Sequence, residues 1–141
     1  ITEYEDGTID GTRKLYSREG NLIIKETYED GKFHGPYYTY YPNGQVELEG
    51  QYVDNTMTGK WKKYYKSGEL MEVVTMEDNR ENGPFVEYYK NGNLKAEGTY
   101  KDGDYEHGLL KLYNKEGELV KKMDCDEGIC KTIWEKKTKR E

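Results

Sequence analysis

The feature that most constrains this chain is a repeat of 24 residues. Asp6, Asp30, Asp54, Asp78, Asp102 and Asp126 recur at that spacing, and such a period restricts a chain to folds in which one small unit packs on the next. A glycine follows in each unit (Gly11, Gly35, Gly59, Gly83, Gly108), and a second comes nine residues later (Gly20, Gly44, Gly68, Gly92, Gly117). The 141 residues therefore divide into units 6–29, 30–53, 54–77, 78–101 and 102–125. Residues 1–5 read as the remnant of a preceding unit, because Tyr4 stands in phase with Tyr28, Tyr52 and Tyr100, and 126–141 reads as a terminal hairpin with a basic tail. A chain of this length is one domain.

Each unit predicts two strands. Between the glycines lies an aromatic run ("PYYTYY", "KWKKYY", "PFVEYY"), followed by a turn such as Pro42-Asn43-Gly44, where Asn and Gly tolerate positive φ. The second strand alternates: Val46, Leu48 and Tyr52 against Glu47, Glu49 and Gln51, the mark of a strand with one buried face. No segment holds a 3.6-residue apolar stripe, so the reading is an all-β, elongated antiparallel β-meander of tandem hairpins. With strands about 4.8 Å apart, five units span about 50 Å. The core is expected to form where Tyr16, Tyr40, Tyr64, Tyr88 and Tyr113 meet Leu22, Val46, Leu70, Leu94 and Leu119 across each hairpin. A register change of one residue would reverse that choice.

Composition alone leans toward disorder: 33% of residues are hydrophobic, 35% are charged, and mean hydropathy is −1.16. Fifteen tyrosines and two tryptophans reverse that reading, since they bury large areas while keeping a polar edge. The net charge of −6 gives no general attraction to nucleic acid or anionic lipid. Lys131, Lys136, Lys137, Lys139 and Arg140 form a basic tail that reads as a solvated end. No run is long and apolar enough to span a membrane. The start at Ile1 reads as a trimmed or processed chain.

Catalytic chemistry finds no constellation. His34 and His107 each precede a loop glycine and read as turn residues. The phased aspartates supply one carboxylate per turn, without the clustered oxygen ligands that calcium needs, so no metal or other cofactor is expected. Cys125 and Cys130 flank a four-residue loop containing Gly128 and are placed to face each other across a hairpin as a disulfide. That pairing would imply an oxidising compartment, the cell envelope or outside. Two buried thiols in a cytoplasmic protein are the alternative. A second aromatic row, Tyr37, Tyr41, Trp61, Tyr65, Phe85 and Tyr89, is the candidate partner-binding surface, because rows of Tyr and Trp are rich in binding hot spots. Its alternative role is core.

Units such as "EGQYVDNTMTGKWKKYYKSGEL" resemble MORN repeats, in the bacterial variant form whose members are often labelled YwqK-family antitoxins. The matching elements are the E-G-x-Y start (Glu49-Gly50-Gln51-Tyr52, Glu97-Gly98-Thr99-Tyr100), the Asp-Gly turn, the loop glycine and the N-G-x-L turn (Asn91-Gly92-Asn93-Leu94). Tyr37, Trp61 and Phe85 stand where the common form has a small residue, as in the variant form. The resemblance implies an elongated β-meander for binding or scaffolding and a protein partner, possible toxins included. Phosphoinositide binding, linked with eukaryotic members, carries over poorly to this acidic chain. The expected function is a non-enzymatic module for a protein partner; the alternative is a cell-envelope glycan-binding or adhesion repeat.

Overall fold

The computed structural model describes residues 4–5 and 8–137. Lys139 and Arg140 of the basic tail lie outside the described residues, as does Asp6. A small pair, β1 (Tyr4–Glu5) and β2 (Thr8–Ile9), comes first. Its register, Tyr4 opposite Ile9, repeats that of Tyr28 opposite Phe33 one unit later.

The remaining strands form one open, twelve-stranded sheet in chain order, save that β5 pairs only with β4 and β4 passes directly to β6. They are β3 (Gly11–Tyr16), β4 (Leu22–Glu29), β5 (Lys32–Phe33), β6 (Gly35–Tyr40), β7 (Val46–Val53), β8 (Thr56–Tyr64) and β9 (Leu70–Glu77). Then follow β10 (Arg80–Tyr88), β11 (Leu94–Tyr100), β12 (Gly108–Tyr113), β13 (Leu119–Asp126) and β14 (Ile129–Glu135). β14 and β3 are the two edges, and every pairing is antiparallel. The all-β meander expected from the period is the observed architecture.

Two kinds of turn alternate along the sheet. Asp54 and Asn55 both have positive φ (47° and 69°) between the paired residues Val53 and Thr56, the type I′ hairpin whose twist matches that of the strands. Asp78-Asn79 and Asp30-Gly31 repeat it. On the opposite long side, Gly44 N–H donates to Tyr41 O (2.9 Å) and Tyr41 N–H to Gln45 O (2.9 Å), with Gly44 at φ 91°. This is a three-residue turn closed by a glycine bulge.

Two expectations change here. The segment between Asp and the loop glycine is strand rather than loop in β8 and β10, which run through Gly59 and Gly83 as positive-φ bulges where the register shifts. The sixth turn also begins one residue later than the count of 24 places it: Glu127 and Gly128 have positive φ, and Asp126 is the last residue of β13. One extra residue between Asp102 and Gly108 moves everything after it by one, so the Asp126 spacing is coincidental.

Candidate interaction surface

The register places Tyr16, Tyr40, Tyr64, Tyr88 and Tyr113 opposite Leu22, Val46, Leu70, Leu94 and Leu119, as the alternation predicts. These pairs are not the deepest part of the fold. They are half-buried, and Tyr16 is 54% exposed. Each ring stands opposite a branched side chain, with no glycine across from it.

The deepest positions belong to the other face, and this corrects the sequence expectation for the candidate surface. Trp61 and Phe85 are only 3% and 4% exposed, and cannot present an open ring to a partner. The reason is the glycine of the E-G-x-Y start. A Cβ on Gly50 would stand 2.0 Å from Trp61 Cδ2, and one on Gly98 would stand 2.9 Å from Phe85 and 3.0 Å from Leu110. Each ring lies against bare backbone of the neighbouring strand, which only glycine permits. Burying such a ring contributes about 2–3 kcal/mol. Tyr37 joins the cluster edge-on to Tyr52 (5.4 Å) and tilted against Trp61 (5.8 Å). Along the same face Tyr28, Phe33 and Tyr52 stack at 4.9 and 4.8 Å. In the first unit the aromatic is replaced by Arg13, whose Nε lies 4.0 Å from the buried Glu26 carboxylate.

Tyr41, Tyr65 and Tyr89 have a different task. Their hydroxyls donate to the carbonyls of Tyr64 (2.6 Å), Tyr88 (2.7 Å) and Tyr113 (2.7 Å), each in the next unit. They are tethers between successive turns and do not form one row with Trp61. Asn43 and Asn91 add parallel links to the carbonyls of Lys66 and Lys115, both at 2.9 Å.

The type I′ side is tied in the same way. Asn55 Oδ1 accepts from Phe33 N–H and Asn79 Oδ1 from Met57 N–H, both at 2.8 Å. The residue before the loop glycine also works across units. Asp10, His34 and Asn82 accept from the N–H of Asp30 (3.3 Å), Asp54 (3.3 Å) and Asp102 (3.0 Å). These residues share one chemistry, an acceptor at the same height, which a reading of them as loop formers missed. The signal was available: each of the three side chains carries an acceptor. His107 occupies that place in the fifth unit, but its buried Nδ1 has no hydrogen-bond partner.

The outward face is a chemically mixed ladder. Successive strands bring Lys14, Lys25, Tyr38, Glu49, Lys62 and Val73 side by side, followed by Val86, Glu97, Lys111 and Lys122. Tyr64 and Tyr113 donate to Glu49 and Glu97 at 2.7 Å. Burial, followed by the bond to the neighbouring carboxylate, pushes both phenols up to about 12. Lys25 Nζ sits 5.9 Å from the Tyr38 ring centroid, a cation–π distance. With Trp61 buried, Trp134 on β14, 43% exposed, is the remaining indole at the surface.

Cys125 and Cys130 are directly opposite across β13 and β14 and form a disulfide. Cys125 occupies the place of Tyr52 and Tyr100 in the glycine register, where it packs with Phe85 and Leu110. Among the described residues no group of three or more His, Cys, Asp or Glu is placed to hold a metal ion. No helix of the described residues is long and apolar enough to cross a membrane.

Comparison with solved structures gives a crystal structure of accessory secretory protein 1, 2 and 3 in Streptococcus pneumoniae. It is 16% identical, with a TM-score of 0.26 over 79% of this chain and 20% of that chain. The present chain thus spans about a fifth of the length of that neighbour. No curated protein matches. The MORN repeat variant model matches four successive segments, 9–30, 33–54, 57–78 and 81–102. Those segments cover more than half of the chain and coincide with the four hairpins from β3 to β11, so this protein belongs to the MORN repeat variant family.

Proposed function

We propose that the chain is a non-enzymatic binding module that takes a protein partner on the sheet face carrying Tyr16, Tyr40, Tyr64, Tyr88 and Tyr113. The observation that carries this reading is the division of labour between the faces. One consumes its rings against glycine backbone, while the other repeats a partly exposed Tyr five times along a ladder of Lys, Glu, Tyr and Val side chains. Tyrosine so presented offers contact area at low entropic cost, with polar groups at hand for specificity. In the narrower form of the proposal the partner is a toxin held by its antitoxin. The disulfide supports placement in an oxidising compartment, the cell envelope or outside.

The test is capture from the source lysate by the native chain, by a Tyr16→Ala, Tyr40→Ala, Tyr88→Ala variant, and by a Tyr105→Ala control. The triple variant spares Tyr64 and Tyr113, whose hydroxyls are tied to glutamates. A protein retained by the native and control chains and lost by the triple variant is the expected result. The same proteins on all three would remove this face from consideration. Alkylation of Cys125 and Cys130 in freshly extracted protein tests the compartment: resistance until reductant is added supports it, and immediate labelling contradicts it.

A further inference from the structure

The tyrosine tether recurs three times and then stops. At the position after Tyr41, Tyr65 and Tyr89 the fifth unit has Asn114, and its side chain turns into its own hairpin. Asn114 Oδ1 accepts from Glu116 N–H (3.1 Å) and Glu118 N–H (2.9 Å), and its amide donates to Glu118 Oε1 (3.2 Å). In the third unit the Tyr65 ring walls a hollow of about 310 Å³ together with Met71, Glu72 and Glu87. The matching hollow beside Asn114, floored by Leu112 and Val120, measures about 650 Å³, within the range of ligand-binding pockets.

Its charge also changes sign. The inner hollow carries Glu72, Glu87 and Lys95; Glu72 and Glu87 correspond to Lys121 and Glu135 here, and Lys136 and Lys137 complete the rim. One lysine, Lys136, is bonded to Glu118. By register, the strand position that supplies the Tyr88 carbonyl in the inner hollow falls on Lys136 at this end. The end of the sheet thus holds a tyrosine position without its tyrosine, with Lys121 and Lys137 on its rim beside Glu135, in a chain of net charge −6.

We propose that this hollow receives a tyrosine side chain from an acidic segment of the protein partner. The phenol ring lies on Leu112 and Val120, its hydroxyl donates to the Lys136 carbonyl as the inner tyrosines do, and the flanking carboxylates face Lys121 and Lys137. The inference rests on the chain being a protein-binding module, but its site is separate from the tyrosine-ladder face. Failure here leaves that face untouched, and the reverse also holds.

The test uses the full chain and a short peptide with one tyrosine between glutamates, alongside the same peptide with alanine for tyrosine. Binding is followed by the methyl resonances of Leu112 and Val120. The tyrosine peptide is expected to shift those methyls saturably and the alanine peptide to leave them unmoved. Asn114→Tyr, which restores the inner residue and exchanges the turn bonds of Asn114 for a tether, is expected to abolish binding while the β12–β14 amides stay protected from hydrogen exchange, so loss of binding cannot be loss of fold. Lys121→Glu with Lys137→Glu is expected to weaken binding at least about tenfold at low salt. Unmoved methyls at millimolar tyrosine peptide would overturn the proposal, as would equal binding by the alanine peptide or by the Asn114→Tyr chain. Binding seen only after removal of residues 138–141 would also overturn it, by showing that the chain's own tail is the occupant.

Discussion

The third and fifth units share one backbone register and are held by different chemistry. In the third unit Trp61 lies on Gly50, and Asn79 bonds the Met57 N–H of the turn before it. In the fifth unit Leu110 lies on Gly98 in the same way, Met123 stands across the hairpin where the third unit has Val74, and the Cys125–Cys130 disulfide holds the last strand. The comparison teaches that the repeat preserves pairing geometry and leaves the means open. The bare backbone offered by the preceding unit takes a wide ring at Gly50 and a leucine at Gly98. An inner unit is also covered on both sides by neighbours, whereas β14 is an edge and gains its hold from a covalent link.

The largest expected effect tests the inner arrangement. Gly50→Ala places a methyl 2.0 Å from the Trp61 ring, and the Tyr37 and Tyr52 rings packed against this buried indole prevent easy retreat. A loss of about 3 kcal/mol is expected, at the upper end of overpacking effects. The milder contact at Gly98, 2.9 Å from Phe85, should make Gly98→Ala about half as costly by the same scale. Chemical denaturation of the two variants checks the order, and equal losses would break the link between ring and glycine.

Removal of the disulfide is expected to cost less and to act locally. Closing so short a loop contributes about 2 kcal/mol in the chain-entropy account. Cys130→Ser should therefore increase hydrogen exchange in β14 while the amides of β8 and β9 stay protected. Loss of protection at both places would contradict independent ends.

Smaller again is the tether. Tyr65→Phe removes the 2.7 Å bond to the Tyr88 carbonyl and is expected to cost about 1 kcal/mol. At the end of the series, Asn114→Phe loses no tether between units but does lose the turn bonds from Glu116 and Glu118 N–H, so its cost should appear in the exchange of those turn amides.

The hydroxyls of the tyrosine ladder predict a pH response. Tyr64 and Tyr113 are pushed up to about 12 by burial and by Glu49 and Glu97, so the folded chain keeps their protons after the unfolded chain has begun to release them near pH 10. Their contribution is fully present below about pH 10 and is lost as pH rises through about 12. Denaturation midpoints should fall across that window, and Tyr64→Phe should flatten the fall.

Much of the fold was legible because period and alternation are properties of the chain itself. Strand phase follows from Val46, Leu48 and Tyr52, and with it the pairing of Tyr40 with Val46 and Tyr64 with Leu70. The choice of core face was not legible from aromatic count, because both phases of the first strand carry rings. The evidence that decides it lay across the hairpin, in glycines at the middle of strands opposite Tyr37 and Phe85. The roles of Tyr41 and Tyr65 depend on carbonyls 23 residues away, a relation that periodicity permits but does not reveal. The shift at Asp126 was concealed because an extra residue before Gly108 was offset by an early aspartate.

The central claim is that Tyr37, Trp61 and Phe85 form the packed face and not the binding face. It is tested most directly by acrylamide quenching of Trp61 fluorescence in a Trp134→Phe chain, where Trp61 is the remaining tryptophan. Blue-shifted emission and slight quenching, rising to the level of a free indole only on unfolding, is the predicted result. Emission and quenching typical of a water-exposed indole in the folded chain would contradict it.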